Sequence, residues 1–409
     1  MQELTLFDTS TGALCTDGTP AGYYFEKSKT GSKKWVIWIQ GGGLCQSNAD
    51  CVSRQGGDLG TSSTWSKTQR GAQLQSTDAS ENPDFHEWNM LYLKYCSGDV
   101  WTGTQAKPTD PWAAAAAAEA AGGAALSHDL RYVGGSARHA SVDTASDSTF
   151  SFTGHTNLAV AVAEAKAHLG LAAATDVVLT GCSAGGIGTF YNADWLAAQF
   201  DAAQTKVVGN PQAGWFGLDI NNYNSWLHGK PNPDPHYFNS SSWLMNVEQM
   251  HVPGQGDAID RCLAADPSAA LQLCSSVPRL YPFTKTPLFV SENTADSYQV
   301  FAQGGAPQTL ANATTAYVDY LHGILAGSLH ATVIGGRKKA TDGLYSPACL
   351  AHCLQFSGDK APLVAGKTHQ QAVGDWYFGR GDGHFLINDS TDVNALLSCT
   401  DIQQQQQQH

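Results

Sequence analysis

The sequence predicts an α/β fold with a mostly parallel central sheet and helices on both faces. Three observations carry that prediction. Short runs with the character of buried strands recur along the chain, stretches with helical spacing lie between them, and the composition supports a large core. With 409 residues, 42% of them hydrophobic and 14% charged, the chain is neither disordered nor a highly charged scaffold.

The first buried run is Lys34–Gln40 (KWVIWIQ), and Gly41, Gly42 and Gly43 follow it at once. Three glycines let the backbone turn sharply and present bare N–H groups. Asn89–Tyr95 (NMLYLKY), Asp176–Thr180 (DVVLT) and Thr286–Val290 are expected to be further strands, the last running into an acidic loop. Helical spacing falls on Thr156–Leu169 and Gly186–Phe200. From Gln105 to Ser148 the composition shifts to Ala, Gly, Ser and Asp, with six consecutive alanines at Ala113–Ala118. This segment reads either as a short surface helix or as a disordered insertion. Gln403–Gln408 is a low-complexity run in a frayed tail, 403–409. No repeat and no linker divides the rest, so 1–402 is expected to be a single domain.

The 23 basic and 36 acidic residues give a net charge of −13, with no dense Lys/Arg run. That balance excludes nucleic acid and anionic membranes as partners. No apolar stretch reaches the ~18 residues of a membrane span, and MQELTLFDTS has no basic-then-apolar leader, so a soluble monomer is expected. Ten cysteines lie at 15, 45, 51, 96, 182, 262, 274, 349, 353 and 399 without paired CxxC knuckles. Disulfides are therefore expected, with neither a metal nor a cofactor. Together with glycosylation sequons at Asn239, Asn312 and Asn388, they point to a secreted, extracellular protein.

Gly181-Cys182-Ser183-Ala184-Gly185 is a G-x-S-x-G that follows a predicted strand and opens a predicted helix. In that context Ser183 sits at a nucleophile elbow, a strained turn whose small flanking residues avoid clashes and whose helix N-terminus favours negative charge. A nucleophilic hydroxyl needs a base and donors for the oxyanion. The N–H of Ala184, with that of Gly42 or Gly43, supplies the donors.

Of fourteen histidines, the base should follow Ser183, which leaves His384 in GDGHF and His352 in ACLAHCLQF as rivals. Cysteine placement separates them. Cys182 precedes the nucleophile and Cys353 follows His352, so a bond between these sulfurs would bring Ser183 and His352 side by side, Cα atoms within ~7 Å. The acid should lie in a loop after a strand. Asp296 in SENTADSYQV fits, with Asp319 in a helical stretch and Asp342 in a basic loop as alternatives.

GGGLCQSNADCVSR, ENPDFHEWNMLYLKYCSGDVWTG, GCSAGGIGTFYNADW, NTADSYQ, CLAHC and VGDWYFGR together resemble the pectin acetylesterase family, which also holds the Notum carboxylesterases. The resemblance runs from about Cys15 to Cys399. It implies an α/β-hydrolase fold and ester hydrolysis without metal or cofactor, with Ser183, Asp296 and His352 as the triad. The order CS, D, HC is also similar to tannases and feruloyl esterases, where the flanking cysteines are bonded. For the rest, the resemblance implies Cys15–Cys96, Cys45–Cys51, Cys262–Cys274 and Cys349–Cys399. Two positions depart from the pattern: Gln40 stands where the family usually has Glu, and Leu44 where plant members carry Trp.

The substrate implied is acetylated cell-wall polysaccharide such as pectin. A chain at −13 is repelled by a polyanion, which favours a neutral acetylated glycan or a local basic patch. A Notum-like lipid-ester deacylase is the next expectation, then feruloyl or polyester cleavage. A glycan-binding pseudoenzyme is the alternative outside catalysis, and the intact Ser, Asp, His and glycine donors argue against it.

Overall fold

The apolar runs assemble into one mixed sheet of ten strands in the computed structural model, which describes residues 1–45, 48–109, 149–216, 258–265, 274–299, 327, 329–330, 332–335, 341–353, 362–381 and 384–388. The strands are β1 (Gln2–Leu6), β2 (Gly22–Glu26), β3 (Lys34–Ile39), β4 (Thr68–Gln69), β5 (Asn89–Leu93), β6 (Gln105–Thr109), β7 (Phe150–Phe152), β8 (Asp176–Cys182), β9 (Lys206–Gln212), β10 (Phe289–Ser291), β11 (Gly343–Ser346) and β12 (Phe385–Ile387). Their order in the sheet is β12-β11-β10-β9-β8-β3-β5-β2-β1-β4, while β6 and β7 pair separately. From β5 to β12 every neighbouring pair is parallel. At the other edge β2, β1 and β4 are added antiparallel.

The central strands are apolar on both faces because both faces are covered. Trp35, Ile37, Ile39, Leu91, Leu93, Val177 and Leu179 point into one core, where they meet helix α2 (Gly154–Glu164) and helix α3 (Ala184–Ala198) through Leu158, Ile187 and Phe190. The alternate residues Val36, Trp38, Met90, Val178 and Val208 point the other way, onto helix α6 (His369–Phe378) through Val373, Trp376 and Tyr377. Removing one such side chain, as in Ile37→Ala, should cost about 2–5 kcal/mol. Helix α6 is well bounded: Thr368 and Gln371 form a capping box, and Gly379 ends it at φ 65°. The other helices with described bounds are α1 (Asn48–Gln55), α4 (Ala258–Ala265) and α5 (Val277–Leu280).

Several expectations shift at this level. Strand β8 runs on to Cys182, which brings the sheet up to Ser183. The strand expected at Thr286–Val290 begins later, at Phe289. Pro287 has no N–H for a ladder, and Leu288 makes only an isolated bridge to Gly209. The segment expected from Gln105 as a helix or insertion starts instead as strand β6, paired with β7. Its remainder, the 403–409 tail, Asn239, Asn312, Asp319 and Cys399 lie outside the described residues. Asn388 lies just past β12, where its N–H donates to the Ser346 carbonyl.

Four disulfides are formed among the described residues: Cys15–Cys96, Cys45–Cys51, Cys182–Cys353 and Cys262–Cys274. No described helix is long and apolar enough to cross a membrane.

Candidate active site

Strand β8 lies between β3 and β9 in the middle of the parallel part of the sheet, and its last residue hands over to Ser183. Ser183 has φ 60° and ψ −124°, a conformation that costs an L residue about 1–3 kcal/mol and is held here by its surroundings. Its N–H donates to the Gln212 carbonyl at 3.0 Å, and its carbonyl accepts from Ile187 at 2.9 Å, the first bond of α3. The turn is so close to β3 that a Cβ on Gly185 would stand 2.0 Å from the Ile39 carbonyl oxygen. Glycine at this position is a packing requirement.

The loop after β3 leans on the elbow. A Cβ on Gly41 would meet the Ser183 Cβ at 2.9 Å. The N–H groups of Gly42, Gly43 and Ala184 donate to no described residue, so three donors stand unspent on the glycine loop and at the start of α3. Their carbonyls, by contrast, are tied down. Arg54 Nη1 donates to the Gly42 carbonyl at 2.7 Å, and the Tyr95 hydroxyl donates to that of Gly43 at 2.9 Å. Tyr95 in turn accepts from Val100 N–H, Trp101 Nε1 donates to the Gln40 carbonyl, and Gln40 Oε1 accepts from Tyr95 N–H. Val100 and Trp101 take positive φ of 50° and 65°, and buried Asp99 clamps that turn by accepting from Ser97, Trp101, Gly103 and Gly154. Burial pushes the Asp99 carboxyl up despite these donors.

Asp296 and His352 arrive from the loops after β10 and β11. The two loops are stitched together: Ala295 bridges Leu350, Thr294 N–H donates to the Pro347 carbonyl, and Asn293 Nδ2 to that of Ala351 at 2.8 Å. His352 Nδ1 and Asp296 Oδ2 are 2.6 Å apart, and Asp296 Oδ1 accepts from Gln299 N–H at 2.9 Å. Asp296 is fully buried, whereas the imidazole is 19% exposed. Tyr298 stacks on the imidazole at 5.0 Å between centroids, and Phe216 packs at 6.3 Å. His352 Nε2 has no hydrogen-bond partner among the described residues. The Cys182–Cys353 bond, with Cα atoms 6.0 Å apart, ties the residue before Ser183 to the residue after His352. The Ser183 hydroxyl and Nε2 are not hydrogen-bonded; such bonds tighten when substrate is present.

All these groups follow the C-terminal ends of parallel strands, where ligands bind in open α/β sheets. The rivals do not. His384 precedes β12, its carbonyl accepting from Leu344, and Asp342 precedes β11, accepting from the Tyr281 hydroxyl at 2.9 Å. Both sit at the N-terminal ends of their strands, opposite the ends that carry Ser183, Asp296 and His352. Three participants escaped sequence reasoning. Arg54 and Tyr95 work through backbone carbonyls, which no motif encodes. Glu292 falls in the acidic loop expected after Val290, and it is fully buried four residues before Asp296.

The family model described as Pectinacetylesterase matches residues 1–115 and 129–397. Pectin acetylesterase 11 of Arabidopsis thaliana is 27% identical over 407 residues, which cover 95% of this chain and 89% of that protein. Palmitoleoyl-protein carboxylesterase NOTUM of Drosophila melanogaster is 28% identical over 358 residues, 86% of this chain and 44% of that protein. Among solved structures, that of the Wnt deacylase Notum from Drosophila matches with a TM-score of 0.72 at 25% identity, covering 97% of this chain and 99% of that one. The fold is that of the α/β hydrolases.

Proposed function

The chain belongs to the pectinacetylesterase family and is a carboxylic ester hydrolase, and from that premise we propose that it works by an acyl-enzyme formed on Ser183. The single observation that supports this most is the imidazole of His352, held by Asp296 through Nδ1 at 2.6 Å, with Nε2 unpaired among the described residues and Cys353, the next residue, bonded to the Cys182 that precedes Ser183. A base held through Nδ1 carries its lone pair on Nε2, where it is available to take a proton.

Nε2 takes the Ser183 proton as Oγ attacks the ester carbonyl. The oxyanion is met by the N–H of Ala184 with that of Gly42 or Gly43, groups that need not reorganise. The imidazolium, stabilised by Asp296, returns its proton to the leaving alcohol, and water repeats the sequence to release the acid.

The substrate proposed is acetyl ester on cell-wall polysaccharide such as pectin, cleaved outside the cell by a secreted, single-domain enzyme. The relatives named pectin acetylesterase support the acyl group, and the disulfides support the compartment. A second reading, a lipid-ester deacylase, is favoured by the match to the Wnt deacylase across nearly the whole chain. p-Nitrophenyl esters from acetyl to palmitoyl, run beside acetylated pectin and xylan, separate the two. Highest kcat/KM on acetyl and release of acetate from polysaccharide support the first; a maximum at long acyl chains overturns it.

A further inference from the structure

Glu292 lies in the Asp296 loop, with no cation paired to it among the described residues. Its N–H donates to the Tyr345 carbonyl at 3.0 Å, its Oε2 accepts from Trp215 N–H at 2.8 Å, and its Oε1 is buried without a donor among the described residues. What it faces is a second carboxyl: the Glu292 and Asp296 side chains are in hydrogen-bond contact, and both are fully buried. Ionised carboxylates only accept, so two of them in contact would leave an unpaired oxygen and two like charges in a dry site. One proton removes both problems. It belongs on Glu292, because Asp296 already accepts from His352 Nδ1 and from Gln299 N–H, and each donor favours the charged form there.

We propose that Glu292 is held as a neutral carboxylic acid whose O–H donates to the Asp296 carboxylate, making it a positioning residue for the acid of the triad. The role rests on the Ser183–His352–Asp296 mechanism above. The shared proton fixes the Asp296 carboxylate from behind while His352 holds it from the front. It also keeps the pair at a single negative charge. A second charge would overstabilise the imidazolium and slow return of its proton to the leaving alcohol.

The titratable groups nearby are His352 on Asp296, Tyr298 over the imidazole with Arg54 and Asp50 beyond it, and Tyr345, whose hydroxyl donates to the Pro362 and Lys367 carbonyls. Burial, and then the charge of Asp296, raises the Glu292 carboxyl well above its ordinary 4.5. The folded protein therefore keeps a proton that the unfolded chain releases. The stability this contributes is complete below the unfolded value and is lost as pH rises toward the folded one.

Three measurements on purified protein test the role. Glu292→Gln retains an N–H donor for Asp296 and an acceptor for Trp215, so its kcat at neutral pH should stay within about threefold of wild type. Glu292→Ala removes the donor and should lower kcat about tenfold or more with KM little changed. The infrared spectrum at neutral pH should contain a protonated-carboxyl C=O band that is missing from Glu292→Gln, and Tm of Glu292→Gln should gain on wild type as pH rises above the unfolded value. Absence of the band, a Gln variant as impaired as the Ala variant, or equal kcat in all three would overturn the proposal. If the Ala variant does not fold, the Gln variant and the band decide. Ser183→Ala, assayed alongside, separates the two levels: residual turnover there would sink the triad, whereas the band and the Tm trend do not depend on turnover.

Discussion

Ser183 is both the proposed nucleophile and a strained residue, and the two properties can be pulled apart. Ser183→Ala removes the hydroxyl but keeps an L residue at φ 60°, so hydrolysis of p-nitrophenyl acetate should fall about a thousandfold or more while circular dichroism is unchanged. Retention of more than about one per cent of activity would move the nucleophile elsewhere. Ser183→Gly should be equally inactive yet more stable by about 1 kcal/mol, read as a higher Tm, because glycine adopts this backbone without penalty.

A second residue-scale prediction concerns His369, the first residue of α6. Its Nε2 meets the Ser291 hydroxyl at 2.9 Å, its Nδ1 has no partner among the described residues, and burial pushes its pKa down to about 3 from 6.5. The positive end of the α6 dipole acts in the same direction. Between those two values the unfolded chain binds a proton that the folded protein refuses. Stability therefore falls as pH drops from about 6.5 toward about 3, by at most about 1.4 kcal/mol per unit. His369→Gln should flatten that part of the Tm-against-pH curve; an unchanged slope would show that other groups set acid sensitivity.

At the scale of elements, the site depends on how three loops are braced. Tyr95 holds the glycine loop by donating to Gly43 and accepting from Val100. Tyr95→Phe leaves the ring and frees both backbone groups, so kcat should fall about tenfold with KM nearly constant, along with ~1–3 kcal/mol of stability. A change in KM alone would mean that the loop binds substrate rather than the oxyanion.

The elements were legible in proportion to how local their signals are. KWVIWIQ and DVVLT announce β3 and β8 because a strand buried on both faces must be apolar throughout, and GCSAG follows from the crowding at Gly185. Strands β1 and β2 went unread, since each depends on antiparallel partners rather than on its own pattern. His352 and Asp296 were singled out by cysteine spacing and loop position. Arg54, Tyr95 and Glu292 were not, because their roles come from burial and from contacts with residues remote in the chain.

For the molecule as a whole, charge bears on substrate. At −13, repulsion from a polygalacturonate backbone acts at long range and is screened by salt. Raising ionic strength from about 0.01 to about 0.15 M should therefore increase kcat/KM on acetylated pectin severalfold and leave neutral acetylated xylan unaffected. An equal response from both would remove charge as a determinant of preference.

The bond between Cys182 and Cys353 joins positions 171 apart in sequence. Everything between them forms a covalent ring, so a single cut by a protease anywhere from 183 to 352 releases nothing: the two pieces remain one molecule. Ser183 opens one end of the ring and His352 closes the other, and both stay attached after clipping. Clipped enzyme should run intact on a non-reducing gel, split once reduced, and keep turning over until its sulfurs are parted. Wherever proteases are abundant, such a molecule ages by losing its thread before it loses its chemistry.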